Sequence, residues 1–193
     1  MKKIVFYGDG ILRPPSGYSE QLIDLLVFHH PLASFQSFHL GEECLTLDSA
    51  LKNAPFHVIG KAPDLIFLAL GNTERLQQEA ISLSLEKLHT LIHLFTLKTK
   101  AKIVLTSLCS AFYSEASRDD VLAYNVGMQK IALLPQLQWL DLDSAVHTFL
   151  EKHRLGMGEK RALHQGPMAL TSMGRVFLSQ TAYSQLPWDT LLA

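Results

Sequence analysis

Short apolar runs alternate with stretches of helical periodicity along this chain of 193 residues. The runs cover residues 4–7, 65–70, 103–107 and 139–142, and a weaker one lies around residues 34–40. Runs of this length, bounded by turn residues, are typical of buried strands, and helices between them indicate parallel pairing. The order therefore predicts a three-layer α/β/α sandwich around a central parallel sheet of about five strands.

The helical stretches are predicted to begin near Tyr18, Asp48, Glu74 and Asp119, and the last helix is predicted to start at an N-cap of Thr171 or Ser172. An aspartate suits the first turn of a helix because its carboxylate accepts backbone N–H groups and interacts favourably with the helix dipole. The stretch from Glu74 to residue 97 is the longest and is predicted to be one helix. Because no repeat, low-complexity tract or linker divides the chain, we expect a single domain over residues 1–193.

Composition narrows the function. Apolar residues make up 48% of the chain and charged residues 18%, and the formal net charge is -1. This balance is that of an ordinary globular protein, and without a basic excess we expect no nucleic-acid partner. Two cysteines, Cys44 and Cys109, are too few for a disulfide scaffold, so we expect reduced thiols.

The amino-terminal segment bears on location. Its apolar run of four residues before Gly8 is shorter than the roughly seven to fifteen residues of a secretory signal core. No stretch reaches the roughly 18 apolar residues that a membrane helix requires. We therefore expect a cytoplasmic protein that does not insert into membranes.

Ligands of parallel sheets collect outside the carboxyl ends of the strands, where the chain turns into the next helix. Blocks of sequence at and between these turns are, in order, IVFYGDGILRPPSGYSEQLIDLL, FHLGEEC, APDLIFLALGNTE, AYNVGMQKIA with QWLDLDSAV, and GPMALTSMG. With them the chain resembles the SGNH, or GDSL-type, hydrolases over almost its whole length. The resemblance implies a flavodoxin-like α/β/α fold and an esterase site with a serine nucleophile, a glycine and an asparagine in the oxyanion hole, and an aspartate–histidine pair.

The resemblance also locates the positions of that site in this chain. The serine, glycine, asparagine, aspartate and histidine fall on Gly10, Cys44, Thr73, Gly166 and Ala169. Asn72 stands one place before the asparagine position, so a local shift would restore it. The residues expected to line the same pocket are Asp9, Ile11, Asn72 and Glu74.

These replacements remove the groups on which the reaction depends. Acyl transfer needs a nucleophile activated by a nearby base and preorganised donors for the carbonyl oxygen. Glycine has no side-chain oxygen, and alanine cannot take up a proton. The sequence therefore predicts a non-catalytic binding or scaffolding protein that uses the former active-site cleft.

Two other functions remain open. A divergent ester hydrolase would need another nucleophile or base, for which the candidates are Ser16, Cys44 and His164. Each candidate also has a purely structural interpretation. Ser16 would be a turn or capping serine, Cys44 a small, buried and inert cysteine, and His164 a loop histidine without a catalytic role. The other function is that of an interaction protein whose cleft is vestigial.

Cations around the cleft suggest a class of ligand. Arg13, Arg75 and Arg161 each follow or precede a predicted cleft turn, and they are candidates for binding a carboxylate or phosphate; the alternative is that they are ordinary surface charges. His89 and His93 have the four-residue spacing of helical metal ligands, but neither a third histidine nor a carboxylate is in step with both. We therefore predict neither a metal nor a cofactor.

Overall fold

The computed structural model describes residues 1–153, 162–166 and 169–193. Five parallel strands form the central sheet in the order β2-β1-β3-β4-β5. Their bounds are β1 (Lys2–Gly8), β2 (Phe35–Leu40), β3 (Leu65–Ala69), β4 (Lys102–Thr106) and β5 (Leu137–Leu140). The predicted parallel five-stranded sheet is confirmed.

Helices connect the strands and pack around the sheet. They are α1 (Ser19–His29), α2 (Leu47–His57), α3 (Asn72–Leu76), α4 (Ile81–Lys98), α5 (Glu115–Ile131), α6 (Leu142–Lys152), α7 (Ser172–Gln185) and α8 (Trp188–Leu191). Helix α1 contacts α7, and α4 contacts both α2 and α5. A short antiparallel hairpin of β6 (His164–Gly166) and β7 (Ala169–Leu170) precedes α7. Within the described residues, no helix combines the length and the apolar character needed to cross a membrane.

The centre of the sheet is the core of the protein. Every residue of β3 is buried, and so are Ile4 to Gly8 of β1 and Ile103 to Thr106 of β4. In contrast, the edge strands β2 and β5 are mostly half-buried. Helices on both faces exclude water from the central strands, which is why those strands are almost continuously apolar rather than alternating.

The prediction of one long helix from Glu74 is wrong, because the segment forms α3 and α4 with a turn between them. Gln78 in that turn has a φ of 57°. The Arg75 guanidinium holds the turn by donating to the Glu79 carbonyl oxygen at 2.8 Å and to the Ser84 hydroxyl at 2.7 Å. Helical periodicity continues through the segment, but these buried contacts outweigh it.

The start of the last helix was predicted correctly. The Thr171 hydroxyl accepts a hydrogen bond from the Gly174 N–H at 3.1 Å, which is the usual geometry of a threonine N-cap. Glycine is required at position 174, since an added Cβ would lie 1.9 Å from the Leu163 carbonyl oxygen. The predicted start of α5 at Asp119 is four residues late, because the helix begins at Glu115 with Ser114 as its N-cap.

Candidate functional site

The loops that follow β1 and β2 touch each other at the carboxyl edge of the sheet. A Cβ added to Gly41 would lie 1.8 Å from the Gly8 carbonyl oxygen, so only glycine allows the two backbones to approach this closely. The β1 loop then folds back through two successive turns, in which Leu12 N–H donates to the Asp9 carbonyl and Arg13 N–H to the Gly10 carbonyl. These contacts put Gly10 and the residues after Gly41 on opposite walls of one depression.

This depression, called the cleft below, has a volume of about 230 Å³ and is lined by Gly10, Arg13, Pro14, Pro15, Ser16 and Glu43. Arg13 and Glu43 are exposed, and Ser16 is half-buried. Neither charged side chain forms an ion pair with another described residue. Among the described residues, the cleft therefore presents one cation and one anion without an ion-pair partner, and one side-chain hydroxyl.

The hairpin before α7 is hydrogen-bonded to the loop after β1. The Leu170 N–H donates to the Ser16 carbonyl oxygen at 3.0 Å. Ala169, the preceding residue, is half-buried and pairs with Gly166 across the hairpin. The residue after Ala169 is therefore hydrogen-bonded to the loop that carries Gly10.

A buried polar network lies beneath Gly10. The Asn72 side-chain amide donates to the Asp9 carboxylate at 2.7 Å, and the Tyr113 hydroxyl donates to the Asn72 amide oxygen. Asp9 is fully buried and Asn72 is 2% exposed. Asn72, and not Thr73, is thus the residue at the end of β3 whose side chain reaches the β1 loop. The Thr73 hydroxyl has no partner among the described residues.

The network changes the proton affinity of its acids. Burial raises the pKa of Asp9 to about 7 and the nearby Glu74 carboxylate adds to this, although hydrogen bonds from Asn72 and from the Ile11 backbone oppose it. Burial also raises the pKa of Glu74, which is 2% exposed, against the hydrogen bond that it accepts from the Leu47 N–H at 2.6 Å. Both carboxyls have one oxygen without a described partner.

Comparison with solved structures assigns the architecture. The acetylxylan esterase Axe2 from Geobacillus stearothermophilus superposes with a TM-score of 0.81 at 18% identity, over 95% of this chain and 93% of that one. A protein described as a GDSL-like lipase, from Parabacteroides merdae, superposes with a TM-score of 0.83 at 12% identity, over 95% and 94% of the two chains. The chain has the SGNH-hydrolase fold.

At these identities the likeness establishes the SGNH fold and not an activity. No protein-family model matches the sequence, and no curated protein matches it. Solved structures of Axe2 include catalytic variants in which a serine, an aspartate or a histidine is replaced by alanine. Those three residues are features of Axe2, and the comparison carries only the fold to this chain.

Arg75 does not face the cleft of the SGNH fold. Its side chain is fully buried, pairs with Asp120 at 2.8 Å and lies over the Tyr124 ring at 5.0 Å from the ring centroid. With its terminal nitrogens bonded to Asp120, Glu79 and Ser84, the guanidinium braces α3, α4 and α5. Arg75 is therefore not an ordinary surface charge, and its contacts do not support the predicted role in binding an anion in the cleft. Arg161 lies outside the described residues.

The remaining sequence candidates divide in the same way. Cys44 is exposed beside Glu43, so the interpretation of a small buried cysteine is wrong for Cys44 and fits Cys109 instead. Burial raises the pKa of the Cys109 thiol well above its usual value. His164 stacks on Phe112 with ring centroids 4.4 Å apart, which places an imidazole against the loop after β4.

A second polar cluster, at the carboxyl ends of β4 and β5, was missed by sequence reasoning. Asp143 accepts hydrogen bonds from the Ser110 N–H at 2.7 Å, from the Ser110 hydroxyl at 2.8 Å and from the Asn125 amide at 3.3 Å. Asn125 also bonds both the N–H and the carbonyl of Leu108. The sequence showed both Asn125, in the Tyr-Asn helix, and Asp143, after β5. It did not show that they are in contact, because they are 18 positions apart and no local pattern joins them.

This cluster contains a serine, a histidine and an aspartate but lacks the geometry of a nucleophilic triad. In a triad the serine and the carboxylate bond opposite nitrogens of the imidazole. Here the Ser110 hydroxyl at 2.9 Å and the Asp143 carboxylate at 3.6 Å both approach Nε2 of His147. Ser110 is moreover fully buried, so no substrate reaches its hydroxyl. The cluster anchors the loop that carries Phe112 and Tyr113 towards the cleft.

Proposed function

We propose that this protein is a non-catalytic member of the SGNH fold that binds a small ligand with an anionic group in the cleft. The composition of the cleft wall carries the proposal. Among the described residues that line it, Arg13 is the cation, Ser16 supplies a side-chain hydroxyl, and neither an imidazole nor a thiol is present. The cleft thus has groups for binding but no paired nucleophile and base.

The residues at the former catalytic positions support the same conclusion. Gly10 and Ala169 lie where the resemblance expects the nucleophile and the base, and neither has a side-chain group for proton transfer. In a serine protease, loss of either member alone lowers kcat by about 10⁶. The Asn72 amide is engaged with the buried Asp9. Under this proposal, these positions supply neither a nucleophile nor a base for ester hydrolysis.

Size and charge define the ligand class. A cavity of about 230 Å³ is smaller than the roughly 300–1,000 Å³ typical of drug-sized ligands. Arg13 offers a planar fork of donors that matches a carboxylate or a phosphate. Glu43 also lines the cleft. Its carboxylate disfavours polyanions because it would repel a second negative charge on the ligand. We propose a small acid with a single anionic group.

Acetate, inorganic phosphate and glycine are suitable probes, and NMR shifts of backbone amides in the β1 loop report their binding. We expect saturable shifts at Gly10 and Ser16, and Arg13→Ala weakens binding by about tenfold or more because a charge-assisted hydrogen bond is lost. Lys130→Ala, which removes an exposed cation from α5, is the matched control and leaves binding unchanged. Absence of shifts with all three probes, or equal losses in the two variants, would overturn the proposal.

An ester hydrolase with a non-standard nucleophile is the second candidate. The exposure of the Cys44 thiol beside the cleft residue Glu43 favours it. Purified protein is assayed on p-nitrophenyl acetate together with Cys44→Ala, Ser16→Ala and His164→Ala. Under the binding proposal the rate equals that of the heat-denatured protein. Turnover of about 1 s⁻¹ or more that one of these substitutions abolishes would establish the hydrolase instead.

A further inference from the structure

The most exposed apolar side chains lie at the edge of the sheet opposite the cleft, where the strands begin. All strands of a parallel sheet begin at the same edge, so the helices that precede β2 to β5 end there. This edge, called the amino edge below, consists of residues 1–3, 28–35, 56–65, 97–102 and 130–137. Its large apolar side chains with exposed fractions from 66% to 102% are Phe28, Leu32, Phe56, Leu97 and Leu133. Apart from Met1, which is on the same edge, no large apolar side chain of the described residues is as exposed.

The amino edge is also rich in lysine. Its lysines are Lys2, Lys3, Lys61, Lys98, Lys100, Lys102 and Lys130, and its one carboxylate side chain is Asp64. Asp189 of α8 is close by, since the neighbouring Thr190 carbonyl accepts a hydrogen bond from the Lys102 ammonium group. Among the described residues, no side-chain carboxylate forms an ion pair with these lysines. Their positive charge is therefore available to a partner.

The fold explains the lysines in part but not the apolar side chains. A lysine in the last turn of a helix, such as Lys98 or Lys130, interacts favourably with the helix dipole. No such effect favours a phenylalanine or a leucine in water, and exposed apolar side chains among polar residues mark protein or membrane contacts. The apolar side chains of the amino edge project from the ends of four different helices or from the loops after them.

Separate apolar projections among lysines fit a lipid surface better than a protein. A folded protein partner would need a matching depression for each projection, whereas lipids rearrange around them. Membrane-surface binding combines apolar side chains in the headgroup region with cations that attract anionic lipid. This mode of binding needs no helix that spans the bilayer.

The opposite edge has the opposite charge, which orients the molecule. The exposed carboxylates near the starts of the helices there are Glu20, Glu42, Glu43, Asp48, Glu115 and Asp119. The arginines outside the core at that edge are Arg13, Arg118 and Arg175. Because the formal net charge is only -1, the two edges differ in sign although the whole chain is almost neutral. An anionic surface therefore attracts the amino edge and repels the edge that contains the cleft.

We propose that the amino edge docks on the surface of a membrane that contains anionic phospholipid. Its exposed phenylalanines and leucines enter the headgroup region, its lysines contact lipid phosphates and carboxylates, and the cleft faces away from the bilayer. The proposal is independent of the ligand of the cleft and of any activity there.

Co-sedimentation with vesicles tests the proposal. We expect the protein to bind vesicles of equal parts phosphatidylcholine and phosphatidylserine, to bind pure phosphatidylcholine far more weakly, and to be released by high salt. Lys98→Gln and Lys100→Gln each lower the partition coefficient by about fivefold, which is the contribution of one lysine near an anionic surface. Arg118→Gln, which removes a cation from the opposite edge, is the matched control and leaves the partition coefficient unchanged.

Substitution of apolar side chains separates a membrane from a soluble polyanion. Leu97→Ser and Leu133→Ser each lower the partition coefficient by about tenfold, because an apolar side chain no longer leaves water. Met173→Ser, at a side chain that is 55% exposed in the first turn of α7, is the control and has no effect. Full binding by both leucine variants would indicate an electrostatic surface for nucleic acid or an acidic protein and would overturn the proposal.

A fluorophore that responds to polarity tests the orientation. The exposed Cys44 thiol carries it on the cleft side, and Leu133→Cys in a Cys44→Ser background carries it on the amino edge. With phosphatidylserine vesicles we expect a blue shift of the emission from position 133 and none from position 44. A shift at position 44 alone, or equal binding to vesicles with and without phosphatidylserine, would also contradict docking through the amino edge.

Discussion

The cleft and the polar cluster at the ends of β4 and β5 lie along the same edge of the sheet, yet they are built in opposite ways. In the cluster, the Asp143 carboxylate accepts hydrogen bonds from Ser110 and Asn125, and Asn125 clamps both backbone groups of Leu108. In the cleft, Arg13 and Glu43 project into solvent without an ion-pair partner among the described residues. The cluster therefore contributes to the fold, whereas the cleft side chains can change without breaking a buried contact.

This difference separates a part of the sheet edge that stabilises the fold from a part whose side chains are available to bind a ligand. On the cleft side, the backbone is held by glycine contacts and hydrogen bonds between main-chain groups. Side chains there are available for ligand binding and contribute little to stability. The predictions below test this contrast, beginning with the largest effect.

Asn125→Ala is expected to lower the free energy of unfolding by about 2–4 kcal/mol, because the buried N–H and carbonyl of Leu108 both lose their partner. Urea denaturation measures the change. Gln129→Ala, an exposed position on the same helix, is the control and changes stability by no more than about 0.5 kcal/mol. Similar small effects from both substitutions would contradict a structural role for the cluster.

Asp9→Asn is expected to alter the dependence of stability on pH. Asp9 has a folded-state pKa of about 7, above the ordinary value of 3.8, so the folded protein retains a proton that the unfolded chain releases. The contribution of Asp9 to stability is therefore largest at acid pH and falls as the pH rises towards 7, by up to roughly 3 kcal/mol between pH 5 and 7 at about 1.4 kcal/mol per pH unit.

Asparagine keeps an acceptor for the Asn72 amide but has no proton to lose. The variant is thus expected to have a flatter profile and greater stability than wild type at pH 8, measured by urea denaturation across the pH range. Glu43→Gln, at an exposed carboxylate, provides the comparison and keeps the wild-type slope. A steep fall in stability that persists in Asp9→Asn would assign the titration to another group, with Glu74 the first to examine.

Gly41→Ala is expected to destabilise the protein by about 1–3 kcal/mol, because the new Cβ would overlap the Gly8 carbonyl and force the two loops apart. Gly60→Ala is the matched control, since its Cβ would lie 3.5 Å from the Pro55 carbonyl oxygen, which is an ordinary van der Waals distance. Thermal unfolding compares the two. Equal stabilities would mean that the close approach of the loops is not needed to form the cleft.

The smallest effect is expected from Gly10→Ser. Position 10 does not have a positive φ, so serine causes no left-handed strain there and stability changes little. Ester hydrolysis stays at background because the base and its partner are still absent, and members of a catalytic unit act together. The triple variant Gly10→Ser, Gly166→Asp, Ala169→His is expected to exceed every single variant in p-nitrophenyl acetate hydrolysis. Strong activity from Gly10→Ser alone would show that a base survives nearby, His164 being the first candidate.

Local patterns in the sequence determine much of this protein. The apolar runs specify the five strands, since buried parallel strands are apolar throughout and are separated by helices. The Thr171 cap is equally local, because a hydroxyl and an N–H three residues apart suffice to form it.

Only the tertiary structure decides the direction and the exposure of the candidate side chains. The Asn72 side chain reaches the β1 loop because Asp9, 63 residues away, accepts its amide hydrogen bond. Arg75 turns inward to meet Asp120, 45 residues away, and in doing so interrupts a helix that periodicity alone would continue. Cys44 is exposed because it lies in the open loop after β2. Burial and hydrogen bonding between distant residues have no local signature, so the direction of these side chains depends on the folded chain as a whole.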